Sequence, residues 1–192
     1  HVLPETTSDD MYAAFESHSI DSDRDRGVLM AMWEKYWELH KASELTVIAC
    51  EDEVGDDTII GFIDAIMVDK NGFYYITDLK TAARFDGNLL ARLKRDSQLN
   101  LYSYFRHQIE EKYNLDPDKF AGCLYRVTTK ATIVKKASET ITEFKRRVKP
   151  KIESYSIFIP AEHLAPEETY KEVMAAQAKA MQFRDKGLKP KR

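Results

Sequence analysis

Asp64, Asp78 and Lys80 are the residues of this chain whose types and spacing could do chemistry: two carboxylates and an ammonium within GFIDAIMVDKNGFYYITDLKT, residues 61–81. β-Branched and aromatic residues dominate Thr58 to Val68 and Phe73 to Thr77, with the turn formers Lys70, Asn71 and Gly72 between them, so the stretch predicts a hairpin. A three-residue loop with Gly72 in the left-handed region pairs Asp69 with Phe73, and counting back along that register sets Asp64 opposite Asp78. Side chains alternate along a strand, so Lys80 joins the Asp78 face while Leu79 points away and leaves its carbonyl near the same edge. A two-residue loop would pair Asp64 with Leu79 and scatter the groups. Facing carboxylates repel unless a cation neutralises them. Oxygen ligation by Asp64, Asp78 and the Leu79 carbonyl suits Mg²⁺ or Mn²⁺ better than zinc. With Lys80 beside the ion to position a water or stabilise developing charge, the set is suited to breaking phosphodiester bonds.

An isolated Asp-x-Lys is usually an exposed cross-strand pair. Here the neighbours argue otherwise, because Phe62, Ile66, Val68 and Ile76 are expected on the same face as the charges, and charges at the end of a core face need partners. At these residues the sequence resembles the PD-(D/E)XK nuclease superfamily, and within it the RecB-type and phage-type exonuclease branch. The resemblance rests on Gly61, Asp64, Asp78, Lys80 and Thr81, followed by Gln98 and Tyr102 in SQLNLYSY, over residues 45 to 105. It implies a restriction-endonuclease-like fold and a metal-dependent DNA nuclease, an exonuclease of recombination, repair or phage DNA processing. Asp64 and Asp78 would hold the metal, Lys80 would assist the attacking water, and Gln98 and Tyr102 would orient Lys80 or the nucleic acid. Ile63 stands where some members carry proline.

The resemblance also implies a further acid ahead of the hairpin, and the candidates are Glu51 and Glu53 in TVIACEDEV. An even-length loop before the next strand puts both on the Asp64 face, with Glu51 one step from Asp64, and Glu51 is preferred as a catalytic residue. The other reading makes them solvated turn acids beside Asp52, Asp56 and Asp57. Many relatives carry a histidine ligand on an upstream helix. His18 and His40 lack the surrounding pattern, and His1 is either a remnant of that motif or extraneous sequence, so this ligand stays open.

Further elements must position these groups. One long helix is expected from Asp86 toward Tyr113, with Leu89, Leu90, Leu93, Leu101, Tyr104, Phe105 and Ile109 forming its apolar side and Gln98 and Tyr102 sharing a face. Arg84, Arg92, Lys94 and Arg95 near its start are candidates for phosphate contact, with solvation the plainer role for any one of them. A short helix is expected near Met11 to Glu16, then an amphipathic helix from Val28 to Lys41 whose Trp33 and Trp37 pack in the core. Phe120 to Thr128, Thr132 to Lys135 and Ser154 to Ile159 read as strands, and Ser138 to Val148 and Pro166 to Arg184 as helices. The sum is an α/β architecture, a mixed central sheet flanked by helices with the hairpin at its centre.

At 192 residues and 43% hydrophobic content the chain can bury one sizeable core, so residues 1–192 read as a single nuclease-like domain. Residues 1–25 form a polar N-terminal segment, open to truncation of a first helix, and residues 166–192 a terminal helix with a basic tail. Neither a membrane span nor a signal peptide is evident, so a soluble cytoplasmic protein is expected, of bacterial or phage origin if the resemblance holds. Cys50 and Cys123 are expected to be buried thiols, too few for the four-cysteine iron–sulfur cluster of some relatives. The net charge is −3, yet residues 125–151 carry nine cations against two acids, a net +7 that leaves −10 elsewhere. Such a basic arm on an acidic body suits a DNA partner, and a homo-oligomer or a recombination or repair protein remains open as a further partner. Three other functions stay in view: an endonuclease, a non-catalytic nucleic-acid-binding module of a larger complex, and a structural metal-binding domain.

Overall fold

The apolar runs assemble into one mixed sheet. In a computed structural model, which describes residues 22–93 and 96–185, α1 (Asp23–Ala42) precedes β1 (Thr46–Gly55), β2 (Ile60–Val68) and β3 (Tyr74–Ala82). Three short helices follow, α2 (Gly87–Leu93), α3 (Ser97–Tyr104) and α4 (Arg106–Tyr113), then β4 (Phe120–Thr129), α5 (Ile141–Val148), β5 (Ser154–Pro160) and α6 (Pro166–Asp185). The strand order is β1-β2-β3-β4-β5, with β3 and β4 parallel and every other pair antiparallel. A parallel pair needs a crossover, and α2 to α4 supply it. The result is the expected α/β sheet flanked by helices, consistent with a restriction-endonuclease-like fold. The expected helix at Met11 to Glu16 lies outside the described residues, as do His1, His18, Lys94, Arg95 and the tail beyond Asp185.

The hairpin keeps the three-residue loop. Asp69 N–H donates to the Phe73 carbonyl at 2.9 Å, Gly72 has φ +80°, and β2 pairs with β3 from Val68↔Tyr74 to Ala65↔Thr77, the register that leads to Asp64 and Asp78. The expected single helix from Asp86 to Tyr113 is instead three. Asp96 caps α3 by accepting from Gln98 N–H at 2.9 Å, and Phe105 leaves helical geometry at φ −87°, ψ 6° between α3 and α4. The expected strand at Thr132 to Lys135 does not form. Arginine side chains take its carbonyls in place of a neighbouring strand, Arg24 Nε reaching Ile133 O at 3.2 Å and Arg147 Nη2 reaching Val134 O at 2.9 Å.

Two apolar clusters hold the layers together. Ile63, Ile66, Tyr74, Ile76, Cys123, Tyr125 and Val127 of the sheet pack with Leu93, Leu99, Tyr102, Phe105 and Ile109 of α2 to α4. On the other side, Val28, Ala31 and Met32 of α1 meet Phe144, Val148 and Ile152. Trp33 and Trp37 stand outside that cluster and stack on one another, 5.6 Å between ring centroids, so they form a partly exposed stripe rather than core. Cys123 is buried as expected, but Cys50, on the edge strand β1, is exposed. Among the described residues no helix is long and apolar enough to cross a membrane.

Candidate active site

The geometry of the site begins with a break in the β1–β2 ladder. Cys50 pairs with Ala65 and Asp52 with Ile63, so Glu51 stands level with Asp64, yet the two do not pair and Glu51 has φ +51°. Ile63 and Ile66 are three residues apart and both fully buried in the cluster beside α3, which strict alternation along a strand does not permit. The strand therefore changes its facing side at Asp64, as bulges next to functional residues do. Phe62, expected on the charged face with Ile66 and Ile76, is consequently 50% exposed, while Gly61 lies under the Tyr102 ring.

Beyond Ala65↔Thr77 the β2–β3 ladder stops, and the Asp64 carboxylate takes its place by accepting from Leu79 N–H at 2.6 Å. The N–H and C=O of one extended residue point to the same neighbouring strand, so Leu79 also turns its carbonyl toward Asp64. Its side chain points away from Asp78 and is exposed, as expected. Asp78 is 1% exposed, and among the described residues its Oδ2 accepts no aligned hydrogen bond but forms an ion pair with Lys80 Nζ at 2.9 Å. Burial pushes the Asp78 carboxyl above its ordinary value; Lys80 opposes the shift, and the Asp64 and Asp96 carboxylates add to it.

Lys80 is held from its other side by a directional chain. Its Nζ donates to Gln98 Oε1 at 2.6 Å, Gln98 Nε2 donates to Tyr102 Oη at 2.6 Å, and Tyr102 Oη donates to the Phe62 carbonyl at 2.5 Å. Each polar atom thereby uses the role its neighbour leaves open, which fixes the amide of Gln98 and the rotamer of Lys80. The tertiary structure thus brings together Asp64, Asp78, Lys80, Gln98 and Tyr102, with Glu51 across from Asp64. Glu53 pairs with Phe62, farther from Asp64.

Other expected contributors stand elsewhere. Thr81 is exposed and alternation puts it on the side opposite Lys80, and Arg84 is 81% exposed and paired with Asp86 at 2.9 Å. The basic segment is not a free arm. Arg126 is buried, Lys149 meets Glu34 at 2.7 Å and Glu38 at 3.0 Å, Lys145 meets Glu34 at 2.6 Å, and Arg147 meets Glu139 at 2.7 Å. Much of its charge therefore ties α5 to α1 and to its own loop. Asp96, which the spacing of Asp78 and Lys80 does not single out, is an acid near enough to act on Asp78; its place two residues ahead of Gln98, as an N-cap, was the available signal.

The donor set fits a hard divalent cation, being all oxygen: the Asp64 and Asp78 carboxylates and the Leu79 carbonyl, with Asp78 Oδ2 buried and short of hydrogen bonds. Among the described residues, no three His, Cys, Asp or Glu side chains are gathered closely enough to hold a metal, so the carbonyl and water must complete any such site. No curated protein matches the chain. A model of the PD-(D/E)XK nuclease superfamily, however, matches residues 3–184, nearly the whole length and every residue of the site. With the five-stranded mixed sheet and the carboxylate–lysine edge in place, the chain belongs to the PD-(D/E)XK nuclease superfamily, a family of metal-dependent nucleases.

Proposed function

We propose that residues 1–192 form a single nuclease domain that hydrolyses DNA with Mg²⁺ or Mn²⁺, as an exonuclease of recombination, repair or phage DNA processing. The observation that carries the reading is Lys80 held between Asp78 at 2.9 Å and Gln98 at 2.6 Å, at the edge where Asp64 replaces the strand ladder. Asp64, Asp78 and the Leu79 carbonyl would hold the metal, with Glu51 completing the acidic edge. The bound metal would supply Lewis-acid polarisation of the phosphoryl oxygen and a lowered pKa for water. Lys80 donates a hydrogen bond toward the attacking water or the developing charge, and Gln98 and Tyr102 hold it in that pose. Asp78 orients the ammonium from the buried side. Arg84 and Arg95 would contact phosphates, and Thr81 would support the strand end.

Purified protein incubated with end-labelled linear and with circular DNA, in Mg²⁺ or in chelator, tests the proposal. Cleavage of linear DNA that needs metal and is lost in Asp78→Ala and Lys80→Ala is expected. Cutting of circular DNA would make the enzyme an endonuclease. DNA binding with no cleavage, unchanged by metal or by Asp64→Asn, would make it a non-catalytic module.

A further inference from the structure

Three large apolar side chains of β2 and β3 are exposed on the face away from α3: Ile60 is 64% exposed, Phe62 50% and Leu79 44%. They share that face because Leu79 alternates with Asp78 and Lys80, while Ile60 and Phe62 alternate with Gly61 and Ile63, which face α3. Phe62 is set there by three separate features. Glu51 at φ +51° marks the break that turns the strand over. Gly61 leaves room for the Tyr102 ring, which comes within 2.7 Å of where a Cβ would be. Tyr102 Oη then pins the Phe62 carbonyl at 2.5 Å. Regular alternation would have placed this ring against α3, so a strained residue is being spent to hold a phenylalanine in water beside the site.

We propose that Phe62 is the surface on which a nucleobase of the bound strand stacks, and that it therefore favours single-stranded or end-frayed DNA. The proposal rests on the nuclease reading above. Phe62 lies two residues from Asp64, about 7 Å along the strand, so a nucleotide whose phosphate meets the Asp64 edge can lay its base on the ring. Aromatic rings take any base through its π face. The hydrogen-bonded chain continues from the Phe62 carbonyl through Tyr102 and Gln98 to Lys80, so a base pressed on the ring bears on the group that holds the lysine.

The test uses single-stranded oligonucleotides that each carry one abasic nucleotide, at successive positions around the cut. Cleavage is followed in Mg²⁺ and binding in Ca²⁺ by fluorescence anisotropy. Phe62→Ala is expected to raise KM about 5- to 150-fold, the worth of one base–aromatic stack, with kcat changed far less, and Phe62→Trp to restore it. One abasic position should cost the wild type a similar factor and cost Phe62→Ala nothing more. If the two losses multiply independently, or if Phe62→Ala behaves as wild type, the stacking assignment is wrong. Binding that keeps this coupling without any cleavage would uphold Phe62 and overturn the nuclease reading, whereas no binding at all overturns both. A wild-type dimer in sedimentation that Phe62→Ala abolishes would assign the face to a second copy and overturn the proposal.

Discussion

Gly61→Ala isolates the packing that aims the site. Gly61 is not among the residues with positive φ, so alanine carries no backbone strain there, and in open space it would stabilise by about 0.4–1 kcal/mol. Its Cβ, however, would lie 2.7 Å from Tyr102 Cε1, against an ordinary carbon contact of about 3.5–4.0 Å. The ring must retreat by about 1 Å. That movement stretches the bonds from Tyr102 Oη to the Phe62 carbonyl, now 2.5 Å, and from Gln98 Nε2, now 2.6 Å, toward or beyond the ~3.2 Å limit of a good hydrogen bond. Overpacking of this kind costs about 1–3 kcal/mol. At this chain length that corresponds to a fall in Tm of about 2–12 °C. Urea unfolding of the four proteins of a double-mutant cycle measures it: wild type, Gly61→Ala, Tyr102→Ala and the double variant. In the Tyr102→Ala background there is no ring to meet, so Gly61→Ala should be neutral or slightly stabilising. An equal loss in both backgrounds, or no loss in the wild type, would refute the packing argument. Cleavage should follow the same pattern, because the retreating ring releases Gln98 from its hold on Lys80.

Two further perturbations test the electrostatics. Arg126 is buried on the α1 side of the sheet; among the described residues its Nε and Nη1 have no hydrogen-bond partner and the guanidinium has no carboxylate partner, while Nη2 donates to Ser43 Oγ at 3.0 Å. Arg126→Met is therefore expected to leave stability unchanged or raise it by up to about 4 kcal/mol, and a loss above about 2 kcal/mol in urea unfolding would mean the charge is compensated. Asp78 has a raised pKa, so the folded chain binds that proton more tightly than the unfolded one. Its contribution is favourable on the acid side and is lost as pH rises from about 3.9, the unfolded value, through the raised folded value. Asp78→Asn should then make the metal-free protein more stable than wild type at neutral pH while abolishing cleavage, and a less stable variant in chelator at that pH would contradict the assignment.

The reach of sequence reasoning is clearest in the hairpin. Lys70, Asn71 and Gly72 specify a three-residue loop through local backbone preference, and the loop sets the register that carries Asp64 to Asp78. Gln98 and Tyr102 share a face because four residues make about one helical turn, and their 2.6 Å bond follows. The order of the strands that form, and of α1, α5 and α6, was likewise readable from periodicity. Other features depended on partners distant in the chain. Whether Thr132 to Lys135 extends as a strand turned on Arg24 and Arg147 arriving to take its carbonyls, which no local pattern encodes. Lys145 and Lys149 of the basic segment became structural because α1 presents Glu34 and Glu38 to them.

The sequence by itself determined which residues could form a metal-binding edge and the register that aligns them, because turns, strand alternation and helical spacing act over a few residues. Only the tertiary structure decided that β2 turns over at Asp64, that Phe62 faces solvent, and that Tyr102 reaches its carbonyl. Those outcomes depend on the volume left between β2 and α3, about 40 residues apart in the chain, and close packing is settled only when both surfaces meet.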